Sequence, residues 1–296
     1  MKVLSKIGGK LSSMRSFNGF VQLMRPVNCI MMSFAVLVGG ILANSNFAKF
    51  SWLNILFGAL TGFTLTAAAM AVNDYYDRDI DAINEPSRPI PSGSVKVKEA
   101  LVFSAALTVV GLSFAYLVSI LCLVGAALAW IVMLTYTTVG KRSGLPGNFL
   151  VSACVAAPFL YGSLVVVDSI ELNVLLFASM AFLSNTGREI TKGIVDVKGD
   201  STKSVKTLAA RFGEKKAAVA SAAFYVFAVC LSPLPMILNL TSVWYVPCVL
   251  ATDAGLLSCS ALLVKSPLRE NARRIKNFIL FLFLLGLFAY IFGMFR

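Results

Sequence analysis

WLNILFGALTGFTLTAAAMAVNDYYDRDIDAINEPSRPIPSG, residues 52–93, runs through some twenty apolar positions and then gathers four aspartates and a glutamate into its last 21 residues. An apolar run of about 20 residues is the length of a helix that crosses the hydrocarbon core of a bilayer. The acids that follow therefore lie where such a helix leaves the membrane. An explanation of this chain must say why its scarce acids collect there.

The rest of the chain fits a bilayer as its solvent. Its 296 residues are 58% hydrophobic and 14% charged, with a mean hydropathy of +0.81, too apolar for a soluble domain of this size. Nine runs read as spans, near 27–44, 52–72, 100–118, 120–138, 148–167, 172–187, 217–238, 244–264 and 277–295. The third and fourth are separated only around Ser119, and the sixth is short. Of the 26 Lys and Arg, all but Lys49 and Arg296 fall in the N-terminal segment, in the loops after spans 2, 4, 6 and 8, or beside them. Positive residues stay on the cytoplasmic side. The expectation is an all-α bundle of nine transmembrane helices with a cytoplasmic polar cap, in a cell membrane, N-terminus inside and C-terminus outside. Residues 1–296 read as one transmembrane domain in which 1–20, with Lys2, Lys6, Lys10 and Arg15, form a basic interfacial arm without the apolar stretch of a signal peptide.

The net charge of +12 does not point to nucleic acid, because basic residues sorted by membrane side report topology and attraction to anionic lipid. The six cysteines sit singly in or near apolar runs, without the paired spacing of metal or redox sites. The chain has no histidine, which removes the usual proton acceptor of neutral-pH catalysis.

A faint internal repeat relates the two halves. RPVN opens span 1 and LPGN opens span 5, placing Asn28 and Asn148 120 residues apart; Asn73, Asp77 and Asp81 leave span 2, and Lys192, Asp196 and Asp200 leave span 6, each 119 residues later. The expectation is a four-helix duplication. At 100° per residue Asp74, Asp77 and Asp81 fall within about 60° of one another, Asp79 points elsewhere, and Lys192, Asp196 and Asp200 share one face. Carboxylates crowded on one face repel and raise one another's pKa unless a cation joins them. Mg²⁺ suits this chemistry, because it takes oxygen ligands, commonly one or two carboxylates together with the oxygens of a substrate phosphate. Two matched acid groups fit a diphosphate; a solvated acidic loop is the plainer alternative. Three prolines in EPSRPIPSG stiffen the loop that carries Arg88 toward the same surface, and KRSGLPGN brings Lys141 and Arg142 to it. Lys192, one turn from two aspartates, is placed to neutralise a leaving diphosphate.

These residues resemble a known family. NDYYDRDID is similar to the NDxxDxxxD motif, and KGIVDVKGD to the second DxxxD motif, of the UbiA family of intramembrane prenyltransferases; the resemblance extends over essentially the whole chain, including RPxN at the entrance to span 1. It implies a helical bundle with a cytoplasmic cap, a lateral opening to lipid, and Mg²⁺-dependent transfer of a prenyl chain from its diphosphate. Carried over, it implies that Asp74, Asp77, Asp81, Asp196 and Asp200 hold the metal, and that Asn73, Asp77, Asp196 and Lys192 take part in catalysis. Arg25, Asn28, Arg88, Lys141 and Asn148 are the expected substrate-binding residues. One departure is Gly193, where many members have Asp, so the second metal site is poorer in charge.

The wording around the motifs is most like that of archaeal members that join the chain of geranylgeranyl diphosphate to the free hydroxyl of geranylgeranylglyceryl phosphate, the second ether bond of archaeal lipids. Aromatic, quinone-precursor or chlorophyllide acceptors are the alternative. No protein partner is implied. An ion-coupled transporter is the competing class, since intramembrane acids often mark ion paths. Asp253 is the only acid well inside a predicted span, however, and transporters place their sites near the midplane.

Overall fold

The structure is a computed structural model that describes residues 17–46, 48, 50–202 and 207–295, with the backbone alone for 198–202. The basic positions of the N-terminal arm lie outside the described residues. Among those described there is no strand, and nine long helices follow one another: α1 (Pro26–Ala43), α2 (Trp52–Asn84), α3 (Val97–Val118), α4 (Ile120–Thr138), α5 (Leu145–Val167), α6 (Leu172–Thr202), α7 (Glu214–Leu231), α8 (Tyr245–Lys265) and α9 (Arg269–Gly293).

Local chemistry sets the helix ends. Pro26 and Pro146 stand in the first turns of α1 and α5, where a missing N–H costs nothing. Ser51 caps α2 by accepting from the Asn54 N–H. The boundary between α3 and α4 is a single residue: Ser119 is extended, its hydroxyl accepts from the Cys122 N–H at 3.1 Å, and it donates to Asp168 at 2.7 Å. One cap residue thus turns what the composition shows as nearly continuous apolar sequence into two antiparallel helices.

Eight helices among the described residues are long and apolar enough to cross a membrane, and the chain is a multi-pass membrane protein. The expected sixth span is the exception. It lies in α6, which is 31 residues long but turns polar after Leu183, with buried Ser184, Asn185, Thr186 and Thr191. These side chains face neighbouring helices: Asn185 and Thr186 donate to Ser152 of α5, and Thr191 meets Ser221 and Tyr225 of α7. A helix buried among helices satisfies polar groups that lipid would reject, so hydropathy undercounts it.

Helices α1 and α5 cross at backbone contact. A Cβ on Gly39 would lie 2.1 Å from the Phe159 carbonyl oxygen, and one on Gly162 2.0 Å from that of Val36. Only glycine permits this approach, which holds the later turns of α1 and α5 together.

Candidate active site

All of NDYYDRDIDAIN is helical, since α2 continues to Asn84. The wheel holds in outline: Asp74 and Asp81 are buried, whereas Asp79 is 85% exposed and its ion pair among the described residues is with Arg78 at 3.7 Å. The buried pair binds arginine. Arg25 Nη2 lies 2.5 Å from Asp74, and Arg88 Nη1 lies 2.5 Å from Asp81 and 3.6 Å from Asp74. Arg25 is the residue before α1 and sits at φ 51°, a left-handed conformation unusual for a non-glycine residue, anchored there by its carboxylate.

Arg88 comes from the proline-rich loop, which folds back on itself through Arg88 N–H to Glu85 and Val95 N–H to Pro89. The loop turns at Gly93, φ 71°, a conformation glycine adopts freely. Ile90 and Val95 pin it into a small core with Leu23, Ala71 and Ala100.

Asp77 turns to a different cation. Lys141, from a short 3₁₀ turn after α4, donates to Asp77 Oδ2 at 2.7 Å and makes a very short bond to Asn73, whose amide in turn donates to the same Asp77 oxygen at 3.1 Å. Asp77 keeps about a quarter of its side chain exposed, so it remains accessible.

The second acid group sits on α6. Asp196 is half-buried, and the side chain of Asp200 lies outside the described residues. Lys192 makes no ion pair with Asp196 among the described residues. It reaches back a turn to Glu189 at 3.3 Å, the direction in which helical side chains lean. Glu189, 13% exposed, also meets Arg188 at 3.2 Å, and Arg188 donates to the Lys276 carbonyl on α9. Neither Arg188 nor Glu189 was named from the sequence, although Glu189 lies seven residues before Asp196, two helical turns along the same face. Tyr136, at the end of α4, lies within electrostatic range of both Glu189 of α6 and Asp77 of α2, on the polar side of the bundle that forms the cap cleft. Of the remaining expected residues, Asn28 contacts Met70 of α2 at 3.7 Å, and Asn148 offers its carbonyl to Ser152.

No three carboxylates converge among the described residues. The donor set still fits Mg²⁺ arriving with a diphosphate, which needs one or two protein carboxylates rather than a cage. Asp77 and Asp196 are the accessible ones; Asp74 and Asp81, expected as metal ligands, hold arginines instead.

Two apolar chambers run into the bundle. One, of about 570 Å³, lies between α4, α5 and α6 against Leu128, Val132, Leu160, Leu164 and Phe182. Its wall includes Cys154. The other, of about 520 Å³, lies among α5 to α9, with exposed Met31, Leu280 and Leu284 at its rim. Both fall in the range of small-molecule sites.

Comparison with known proteins agrees with this arrangement. The profile of the UbiA prenyltransferase family matches residues 32–290. The digeranylgeranylglyceryl phosphate synthase of Archaeoglobus fulgidus is 36% identical over 291 residues, covering 96% of this chain and 99% of the relative. That of Korarchaeum cryptofilum is 33% identical over 287 residues, with the same coverage. A solved structure of digeranylgeranylglyceryl phosphate synthase superimposes with a TM-score of 0.87 at 31% identity, over 94% of this chain and 98% of that one. A UbiA homologue from Archaeoglobus fulgidus, solved with GPP and Mg²⁺, shares the fold at a TM-score of 0.67 and 17% identity, over 92% and 99%.

Proposed function

Because this chain belongs to the UbiA prenyltransferase family, we propose that its polar cap binds geranylgeranyl diphosphate with Mg²⁺ and transfers the geranylgeranyl chain to the free hydroxyl of geranylgeranylglyceryl phosphate. The observation that carries the choice of acceptor is near-complete alignment with digeranylgeranylglyceryl phosphate synthases at 36% and 33% identity. The geometry supports the chemistry separately, since an accessible acid and a lysine stand together at the end of α2, and the bundle below holds apolar chambers of small-molecule size.

When bound, Mg²⁺ supplies charge neutralisation for the departing diphosphate. Asp77 and Asp196, with Asp200, are the residues that would hold it. Lys141, fixed by Asn73 and Asp77, presents its ammonium to phosphate oxygens, where negative charge grows as the C–O bond breaks. Arg25 and Arg88 hold Asp74 and Asp81 and present their remaining N–H groups to the cap surface. The chambers exclude water that would capture the allylic cation as the free prenol. The acceptor hydroxyl attacks the allylic carbon, and its proton passes to a cap carboxylate or to the released diphosphate.

The concentration of Lys and Arg in the loops that flank the cap supports a cytoplasmic orientation for it. The test is purified protein with Mg²⁺, labelled geranylgeranyl diphosphate and a panel of acceptors. Geranylgeranylglyceryl phosphate is the acceptor expected to be alkylated; labelling only of an aromatic acid, quinone precursor or chlorophyllide would overturn the acceptor while keeping prenyl transfer.

A further inference from the structure

The proposed transfer brings two anionic head groups together, and the cations at the end of α2 attend one of them. Arg25, Arg88 and Lys141 surround Asp74, Asp77 and Asp81, beside the acid that would hold Mg²⁺ with the diphosphate. The acceptor adds a phosphate monoester, which carries a charge of about −1.5 to −2 at neutral pH. Set next to a diphosphate without cations of its own, it would be repelled.

A second basic group stands on α6. Arg188 and Lys192 are four residues apart and share a face, which Asp196 continues four residues further on. Because α6 runs toward the cap, Lys192 and Arg188 lie about 6 and 12 Å nearer the hydrocarbon than Asp196, at 1.5 Å per residue. Glu189, 13% exposed, binds both cations, Arg188 at 3.2 Å and Lys192 at 3.3 Å. Arg188 is fixed a second time by its Nε bond to the Lys276 carbonyl of α9. Each cation keeps further N–H groups beyond these bonds. Two cations on one carboxylate leave a net positive charge, which an anionic ligand needs and a purely structural pair does not. Glu189 and Asp77 both lie within electrostatic range of Tyr136, so this group belongs to the same polar side of the bundle as Lys141.

We propose that Arg188 and Lys192, held by Glu189, bind the phosphate of the lipid acceptor and make that charged head group a condition of efficient transfer. The inference rests on the prenyl-transfer reading, and it reassigns Lys192, expected from the sequence to neutralise the leaving diphosphate. A lipid acceptor arrives from the hydrocarbon side with its phosphate within a glycerol's length of the attacking hydroxyl, so its cations belong below the metal-holding acids. Guanidinium and ammonium together suit a phosphate, the first as a planar fork and the second as a point charge.

The test gives purified protein, geranylgeranyl diphosphate and Mg²⁺ two acceptors in competition: geranylgeranylglyceryl phosphate, and the same lipid with a methyl ether in place of the phosphate, which keeps one free hydroxyl. The wild type is expected to favour the phosphorylated lipid by at least roughly a hundredfold in kcat/KM. Lys192→Gln and Arg188→Gln should each narrow that ratio about tenfold, through the KM for the phosphorylated acceptor, and Lys192→Arg should keep most of it. Each ratio is internal to its variant, so differences in folded yield cancel, and Lys192→Gln, at a side chain 46% exposed, decides alone if Arg188→Gln does not fold. An unchanged ratio overturns the proposal, as does a rise in KM confined to geranylgeranyl diphosphate, or a wild type indifferent to the phosphate. A wild type that alkylates neither lipid overturns the parent reading, and this one with it.

Discussion

Replacing Asp77 by Asn tests the cap most directly, because the structure separates this acid from its neighbours. Asn is nearly isosteric and can still accept from Lys141, which lies 2.7 Å away, but it brings no negative charge to a metal. The stability cost should be small: both partners are about a quarter exposed, and ion pairs at that exposure contribute up to about 1 kcal/mol. The kinetic cost should be large. Losing one preorganised electrostatic contact at the departing group costs about 3 to 4 kcal/mol, or roughly two to three orders of magnitude in rate. Asp79→Asn is the matched control, since Asp79 is 85% exposed and pairs only with Arg78 among the described residues, and its turnover should stay within about threefold of wild type. Mg²⁺-dependent transfer would be measured for all three proteins at equal detergent-extracted yield, with thermal unfolding in parallel. The assignment fails if Asp77→Asn turns over as fast as Asp79→Asn, or if its lost activity is matched by an equal loss of folded protein.

Three other outcomes are expected. Arg88→Gln removes the guanidinium shared by buried Asp74 and Asp81 and should lower thermal stability by about 1 to 3 kcal/mol as well as reducing turnover, whereas Asp79→Asn should leave melting unchanged. Chelating divalent cations should stop transfer with little change in melting temperature, because Asp74, Asp77 and Asp81 already have basic partners; a collapse of stability on chelation would show that the metal holds the cap together. In a cysteine-free background, Lys96→Cys should be labelled from the cytoplasm and Ser169→Cys from outside, and reversed labelling would reject the orientation.

The sequence told most where one physical rule dominates. Apolar length located every long helix, and even the break at Ser119 was visible as one polar residue between two runs. α6 was harder to read because its polar residues are satisfied by α5 and α7, and hydropathy treats a residue facing a neighbouring helix as if it faced lipid. In the cap, periodicity found the acids and set Asp79 apart, but it carries no information about partners. That Arg25 belongs to Asp74 and Lys141 to Asp77 depends on contacts across 49 and 64 positions. Glu189 was legible in principle by extending the face of Asp196 two turns back. The second chamber was not, because its walls come from helices far apart in sequence, and only Asp253, which lines it, marked it.

The pairing of the cap acids also explains why the site suits a metal-bound diphosphate rather than a free one. Asp74, Asp77 and Asp81 face Arg25, Arg88 and Lys141, so the α2 side of the cleft is close to neutral before anything binds. A bare diphosphate would gain three basic groups but meet three carboxylates at almost the same distance, and the two effects largely cancel. A diphosphate carrying Mg²⁺ meets the same surface differently: its cations face Asp77, the accessible acid, while its free oxygens face the basic side chains. The arginines are therefore more than counter-ions that keep buried carboxylates from repelling one another. On the proposed function, they keep the acidic face assembled until a ligand with both signs of charge arrives, and this favours the metal complex over the bare diphosphate.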